Sequence, residues 1–366
     1  MLCVSQPAFR EKNAFFPLNS GRTVLCRRLT LCLFQRLNAL TAPARWIIRS
    51  LCAILLLSRS RGSPDAYDYE DSMQHHDFLA SEYAPAAPEK AAFHVIPAPL
   101  EQSTSYGGGT AQGPAAILTA SQQLEAWDGI SAPCEGGVYT APAVDCSTSE
   151  KALNGIEQAV AAALACNALP VLLGGEHTVT LGALRALARE AQHSGRPFGI
   201  VQFDAHADLR PSYEGNPLSH ASVMYRAVAD LNLPLAQFAM RDYCREEAEI
   251  RQRFQVTSYD AAALYADGLP EQPLPPDFPS RIYITFDVDG LDASLMPATG
   301  TPSPGGLFWH DALRLIERCC RGRRVVGMDV VELAPLPGLH HADFTAAKLT
   351  HALMGFAQRA NAAVNV

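Results

Sequence analysis

Phe203-Asp204-Ala205-His206-Ala207-Asp208 follows an apolar run (Ile200, Val201, Phe203) that reads as a buried β-strand, then sets an acid, an imidazole and an acid at every second position. Alternate residues of extended chain project to one side, so Asp204, His206 and Asp208 can converge on one point past the strand's carboxyl end. Two carboxylates with an imidazole suit a borderline divalent cation such as manganese or zinc. A surface loop carrying the pattern by chance is the plainer alternative.

Two further segments repeat the design. Residues 171–178, Val-Leu-Leu-Gly-Gly-Glu-His-Thr, give an apolar strand, a Gly174-Gly175 pair expected to turn the chain sharply, and His177 where a helix begins. A helix cap built from Glu176 and His177 is the bland reading of that segment. Residues 281–292 give another buried strand ending in Asp287 and Asp289, which on their own could be loop aspartates. Three strand ends with the same chemistry argue for one site, because ligands of open α/β sheets gather outside the carboxyl ends of the strands. Six such side chains exceed one tetrahedral zinc, and bridging carboxylates fit two metals about 3.5 Å apart.

The ordered set Gly174-Gly175-Glu176-His177, Asp204-Ala-His206-Ala-Asp208, Ser219-His220, Asp287-Val-Asp289 and Asp329-Val-Val-Glu332 resembles the ureohydrolase (arginase/agmatinase) family, and within it the agmatinase branch. The likeness runs from about Phe93 onward and takes in Ser105-Tyr106-Gly107 and Gly113-Pro114. It implies a three-layer α/β/α sandwich around a mainly parallel sheet, two Mn2+ per chain, and hydrolysis of a guanidino group to urea and an amine, agmatine giving putrescine. By resemblance, one cation takes His177, Asp204, Asp208 and Asp287, and the other takes His206, Asp204, Asp287 and Asp289. Asp204 and Asp287 are then the bridges, a role that needs the two oxygens of a carboxylate. Two cations sharing a water lower its pKa towards neutrality. Asp208 is the candidate to pass a proton to the departing amine, and His220 matches the family's proton-shuttling histidine, whose ordinary pKa near 6.5 suits the task. Glu332 would pair with the guanidinium as a fork. The bland alternatives are a capping histidine and a solvated glutamate.

Ala293 stands where a proline commonly follows Asp292, Ala221 where a glycine is frequent, and Glu176 where aspartate is also common. These departures touch loop geometry. Relatives acting on arginine carry an Asn-rich loop after D-x-H-x-D; here Leu209-Arg-Pro-Ser-Tyr-Glu-Gly-Asn216 occupies that place and looks more like the agmatinase type. Arg210 and Glu214 could shape recognition of the substrate tail or form a salt-linked loop. The nearest rival substrates are arginine, guanidinobutyrate and related guanidino acids. A one-zinc deacetylase of related fold and an inactive scaffold are the rivals from other classes; the full set of six candidate ligands argues against both.

The chain has 366 residues, 48% of them hydrophobic, enough for a sizeable core. A formal net charge of -8 disfavours nucleic acid as a partner. The ten cysteines contain no CxxC, and Cys319-Cys320 reads as core filling on an amphipathic helix, so reduced thiols are expected. Residues 1–63 carry many arginines (Arg27, Arg28, Arg36, Arg45, Arg49, Arg59 and Arg61 among them) and Glu11 as the sole acid. That composition suggests a mitochondrial transit segment or an upstream extension ahead of a natural start at Met73, which is the favoured reading. The run 46–57 is too short and too interrupted to span a bilayer. The expected organisation is an extension over 1–72 outside the fold, a flexible lead-in over 73–92, and one catalytic domain over 93–366. A cytoplasmic homo-oligomer, trimer or hexamer by resemblance, is expected.

From residue 93 strands and helices alternate: strands at 93–97, 169–173, 198–203, 235–240, 281–286 and 324–331, with helices at 147–167, 178–193, 220–230, 244–253, 309–320 and 343–358, and one opened by Gly113-Pro114. Such alternation implies a parallel sheet. The five prolines of 267–280 mark an irregular loop, and the turn formers of 297–306 a rigid loop bordering the site. Gly107-Gly108-Gly109-Thr110 lacks a P-loop lysine and reads as a flexible loop near the site entrance.

Overall fold

A computed structural model describes residues 76–364. The expected extension over 1–72, with its targeting and start-site alternatives, lies outside the described residues.

Strand β1 (Phe93–Ala98) is followed by α1 (Gly113–Ser121), β2 (Val138–Thr140), α2 (Ser149–Ala165), β3 (Leu169–Gly174) and α3 (Thr180–Ser194). Then come β4 (Gly199–Phe203), α4 (Val223–Ala229), β5 (Leu235–Met240), α5 (Arg245–Arg253), β6 (Thr257–Asp260) and α6 (Ala261–Asp267). The chain closes with β7 (Arg281–Asp287), α7 (Trp309–Cys320), β8 (Arg324–Val331) and α8 (His340–Val364). All eight strands are parallel, in the order β2-β1-β3-β8-β7-β4-β5-β6. Each main expected strand is present, with its end shifted by a residue or two at most. The short edge strands β2 and β6 and the helix α6 were not anticipated, and α8 extends beyond both expected ends.

Period-two alternation in the strands feeds two cores. Val171, Leu173, Val201, Phe203, Ile284 and Phe286 point to the face covered by α1, α7 and α8; Leu172, Ile200 and Tyr283 point to the face covered by α2, α3 and α4. Helices on both faces are what a sheet buried on both sides needs. The result is the three-layer α/β/α sandwich.

The register is pinned just below the carboxyl ends. Phe203 stacks on Phe238 (centroids 5.2 Å apart) and on Phe286 (5.1 Å), and Phe238 stacks on Tyr259 (5.3 Å). These residues are direct neighbours across β7, β4, β5 and β6. A one-residue slip would send every ring to the opposite face, so this row also fixes Asp204 beside Asp287 one position further on. Within the expected lead-in, Phe78 and Leu79 are buried, and the Leu79 N–H donates to Ser121 Oγ at 2.9 Å.

Candidate metal centre

Four strand ends supply the site. Asp204 follows β4, Asp287 ends β7, His177 stands three residues past β3, and Glu332 follows β8 directly. Gly174 and Gly175 do not act through a left-handed turn. A Cβ on Gly175 would lie 2.0 Å from the Leu100 carbonyl oxygen, and one on Gly174 would lie 2.5 Å from Val179. Their value is close approach, which lets the His177 turn lie against its neighbours. Asp208 and Glu332 take positive φ, 53° and 65°. Non-glycine residues hold that region at a cost, and such strain clusters at functional sites.

Around His177 Nδ1 lie Asp208 Oδ2 at 3.0 Å, Asp204 Oδ2 at 3.1 Å and Asp287 Oδ2 at 3.4 Å. His206 Nδ1 faces Asp289 Oδ2 at 3.0 Å and Asp204 Oδ1 at 3.6 Å. Asp204 therefore turns one oxygen to each imidazole. Two triads, His177/Asp204/Asp287 and Asp204/His206/Asp289, each bring their ligand atoms within 4.8 Å of one another. Asp287 belongs to the first triad alone, and its Oδ1 accepts the Asp289 N–H at 2.9 Å.

The donor set fits divalent cations. Thr285 Oγ1 gives its proton to Asp329 Oδ1 (2.7 Å), so His177 Nε2–H donates to Thr285 Oγ1 (2.8 Å) and Nδ1 is turned to the three carboxylates. Burial opposes charge on His177, yet those carboxylates hold its pKa well above 6.5. Nδ1 nevertheless makes no hydrogen bond of acceptable geometry with any of them. A buried position that draws positive charge but offers a proton no acceptor direction suits a coordinated cation. Burial, then the Asp289 and Asp204 charges, push the Asp287 carboxyl up, and burial with the Asp204 charge brings Asp208 up to about 7.

A polar layer lies behind the centre, of which the sequence reading names Asp329 alone. Gln202 Nε2 donates to Asp204 Oδ2 at 2.7 Å, and Gln237 Nε2 donates to Gln202 Oε1 at 2.7 Å. Asp329 accepts from Thr285, from Thr180 Oγ1 and from Tyr283 Oη (2.8 Å each for the last two). Their signal was present: Gln202 and Gln237 are polar residues inside otherwise apolar strands, each directly before a phenylalanine, and they face each other in register.

The cleft above the centre is small, about 30 Å³, and is lined by His206, Asp208, Asp287, Asp289, His220, Glu332, Thr104, Ser105 and Thr299–Thr301. The 297–306 loop thus borders the site as expected. The glycine loop reaches it too, through a bond from the Gly107 N–H to the Gly300 carbonyl at 3.1 Å. Glu332 Oε1 accepts the His177 N–H at 2.6 Å, and burial pushes Glu332 up to about 8. His220 Nε2 lies 2.8 Å from Ser105 Oγ, and burial lowers its pKa. Arg210 is salt-linked to Glu247 at 3.7 Å, and Glu214 is absent from the cleft lining. All six described cysteines are free, and no described helix is long and apolar enough to cross a membrane.

A parallel α/β sandwich with acids and histidines converging at its strand ends defines a class of metal-dependent hydrolase folds. The model of the arginase family matches residues 91–355, and the chain belongs to that family. It is 38% identical to the N(1)-aminopropylagmatine ureohydrolase of Synechocystis sp. over 76% of this chain and 93% of that one, and 30% identical to the agmatinase of Pyrococcus horikoshii over 72% and 92%. The crystal structure of the agmatine ureohydrolase of Thermoplasma volcanium superposes with a TM-score of 0.68 at 30% identity, covering 82% of this chain and all of that one. The protein is an enzyme of the amidinohydrolase type, cleaving a C–N bond of a linear amidine.

Proposed function

We propose that the protein hydrolyses the guanidino group of agmatine, releasing urea and putrescine, at a centre that takes two Mn2+. The observation that carries this reading is Asp204, whose two oxygens face two different imidazoles. His177, Asp208 and Asp287 complete the inner position, His206 and Asp289 the outer one. The cations, when bound, supply Lewis acidity and a water of near-neutral pKa.

The remaining roles fall to the chain. Glu332 keeps one oxygen on the His177 N–H and turns the other to a guanidinium, whose charge would draw the carboxyl down from about 8 into its ionised form. Asp208, which holds the inner position and lines the cleft, is placed to relay a proton to the departing amine. His220, kept neutral by burial at the cleft wall, exchanges protons with solvent.

A second reading is favoured by the relatives named N(1)-aminopropylagmatine ureohydrolase: the same centre would act on agmatine bearing an aminopropyl extension. Urea release from agmatine, N(1)-aminopropylagmatine, arginine and guanidinobutyrate, measured with manganese-loaded protein, separates the possibilities. Turnover of agmatine is expected. No release from agmatine with release from another of the four would overturn the choice, and release from N(1)-aminopropylagmatine in its place would establish the second reading.

A further inference from the structure

Glu176 is fully buried, lies beside His177 and has no place in the chemistry just described. Its Oε2 accepts the backbone N–H groups of Gln102 (2.6 Å) and Ser103 (2.7 Å); its Oε1 accepts Thr178 Oγ1–H (2.8 Å) and Ser103 Oγ–H (2.9 Å). All four partners reach it as donors, which suits an acceptor-only carboxylate.

Ser103 connects this acid to the cleft. Its hydroxyl oxygen lies 3.1 Å from the His220 N–H and 3.2 Å from His220 Nδ1. A serine has one proton to give. The carboxylate is the nearer and stronger acceptor, so the proton goes to Glu176 and the oxygen can only accept from His220. His220 Nδ1 must then carry hydrogen. Its Nε2 is left as a lone pair, 2.8 Å from Ser105 Oγ on the cleft side. A backbone bond and a side-chain bond from one residue to one hydroxyl fix both the position and the rotation of the ring.

We propose that Glu176 and Ser103 are positioning residues that lock His220 as the Nδ1–H tautomer, presenting a basic Nε2 to the cleft. The assignment rests on the shuttle reading of His220 and adds what that reading leaves open: which nitrogen exchanges the proton, and what holds it there. Such an acid–hydroxyl–imidazole relay orients a base without touching the substrate, as buried acids behind catalytic histidines do. It also gives Glu176 a task its extra methylene suits, since the carboxylate must span from the His177 turn to the 102–103 backbone.

The test reads tautomer and rate together. Ring-15N histidine spectra of the manganese-free full chain, with His220 assigned by its loss in His220→Ala, should show the Nδ1–H form. Ser103→Ala should convert His220 to a mixture or to Nε2–H and lower kcat at least about tenfold, part of the roughly 10²–10⁴-fold that a proton-transfer group supplies. KM should stay within about twofold and the two-metal content should be unchanged. Ser103→Thr, which keeps the hydroxyl, should restore tautomer and rate, whereas Ser105→Ala should leave the tautomer as it was. An Nε2–H tautomer in the unmodified protein, or an unchanged kcat in Ser103→Ala, overturns the relay. A slow His220→Ala beside a fast Ser103→Ala would discard the relay and keep the shuttle; a fast His220→Ala would discard the shuttle itself.

Discussion

The two imidazoles of the centre carry the same chemistry in different surroundings. His177 is 1% exposed and braced by Thr285 and Asp329 on its far nitrogen; His206 is 30% exposed, and no described protein group holds its Nε2. The inner half is set before any cation arrives, whereas the outer half keeps a ring free to adjust at the cleft. Partners behind a ligand fix its tautomer and orientation and tune its affinity. The difference therefore predicts an inner position that binds tightly and an outer one that exchanges readily. Asp204, held by Gln202, is common to both.

The largest expected effect removes that common element. Asp204→Asn should lower turnover by at least about 10³-fold, because Lewis-acid stabilisation supplies several kcal/mol of barrier reduction. Metal analysis should find fewer than two cations per chain. Next comes a group outside both halves: His220→Ala should slow the reaction by about 10²–10⁴-fold, the usual worth of a proton-transfer group, with metal content intact. Thr285→Val then acts on the inner half alone. It should weaken the tighter of two binding steps by about 10–100-fold in calorimetric titration; a change confined to the weaker step would reverse the comparison.

The smallest effect is on the pH dependence of stability. Burial raises Asp208 from 3.8 to about 7 and Glu332 from 4.5 to about 8, and carboxylates raise His177 above 6.5 in spite of its burial. Each then binds more protons folded than unfolded across about pH 5 to 8, so the metal-free fold loses stability as pH rises through that window. Asp204, held low by His177 and His206 against its burial, acts with opposite sign at lower pH, and His220, lowered by burial, opposes the three within the window without outweighing them. The melting temperature with chelator should fall from about pH 5.5 to 8, and manganese should flatten the slope by replacing the protons.

The strand ends were legible because each joins an apolar run to acids or histidines at short spacing, as at 200–208 and 281–289. The edge strands β2 and β6 were not, since three and four residues with partial burial leave no periodic signal. Candidate ligands could be named from strand ends, whereas the sharing of Asp204 alone between the two triads depends on side-chain torsions. The same limit hid Ser103: it becomes meaningful only when Glu176 and His220, 44 positions apart, meet on its hydroxyl. Gln202 and Gln237 were readable in principle, as polar residues at inward strand positions that no solvent can satisfy.

The most direct test of the centre is an anomalous difference map from crystals grown with manganese. Two peaks per chain are expected, both within coordinating distance of Asp204, one against His177 and one against His206. A single peak, or two peaks that do not share Asp204, would contradict the account.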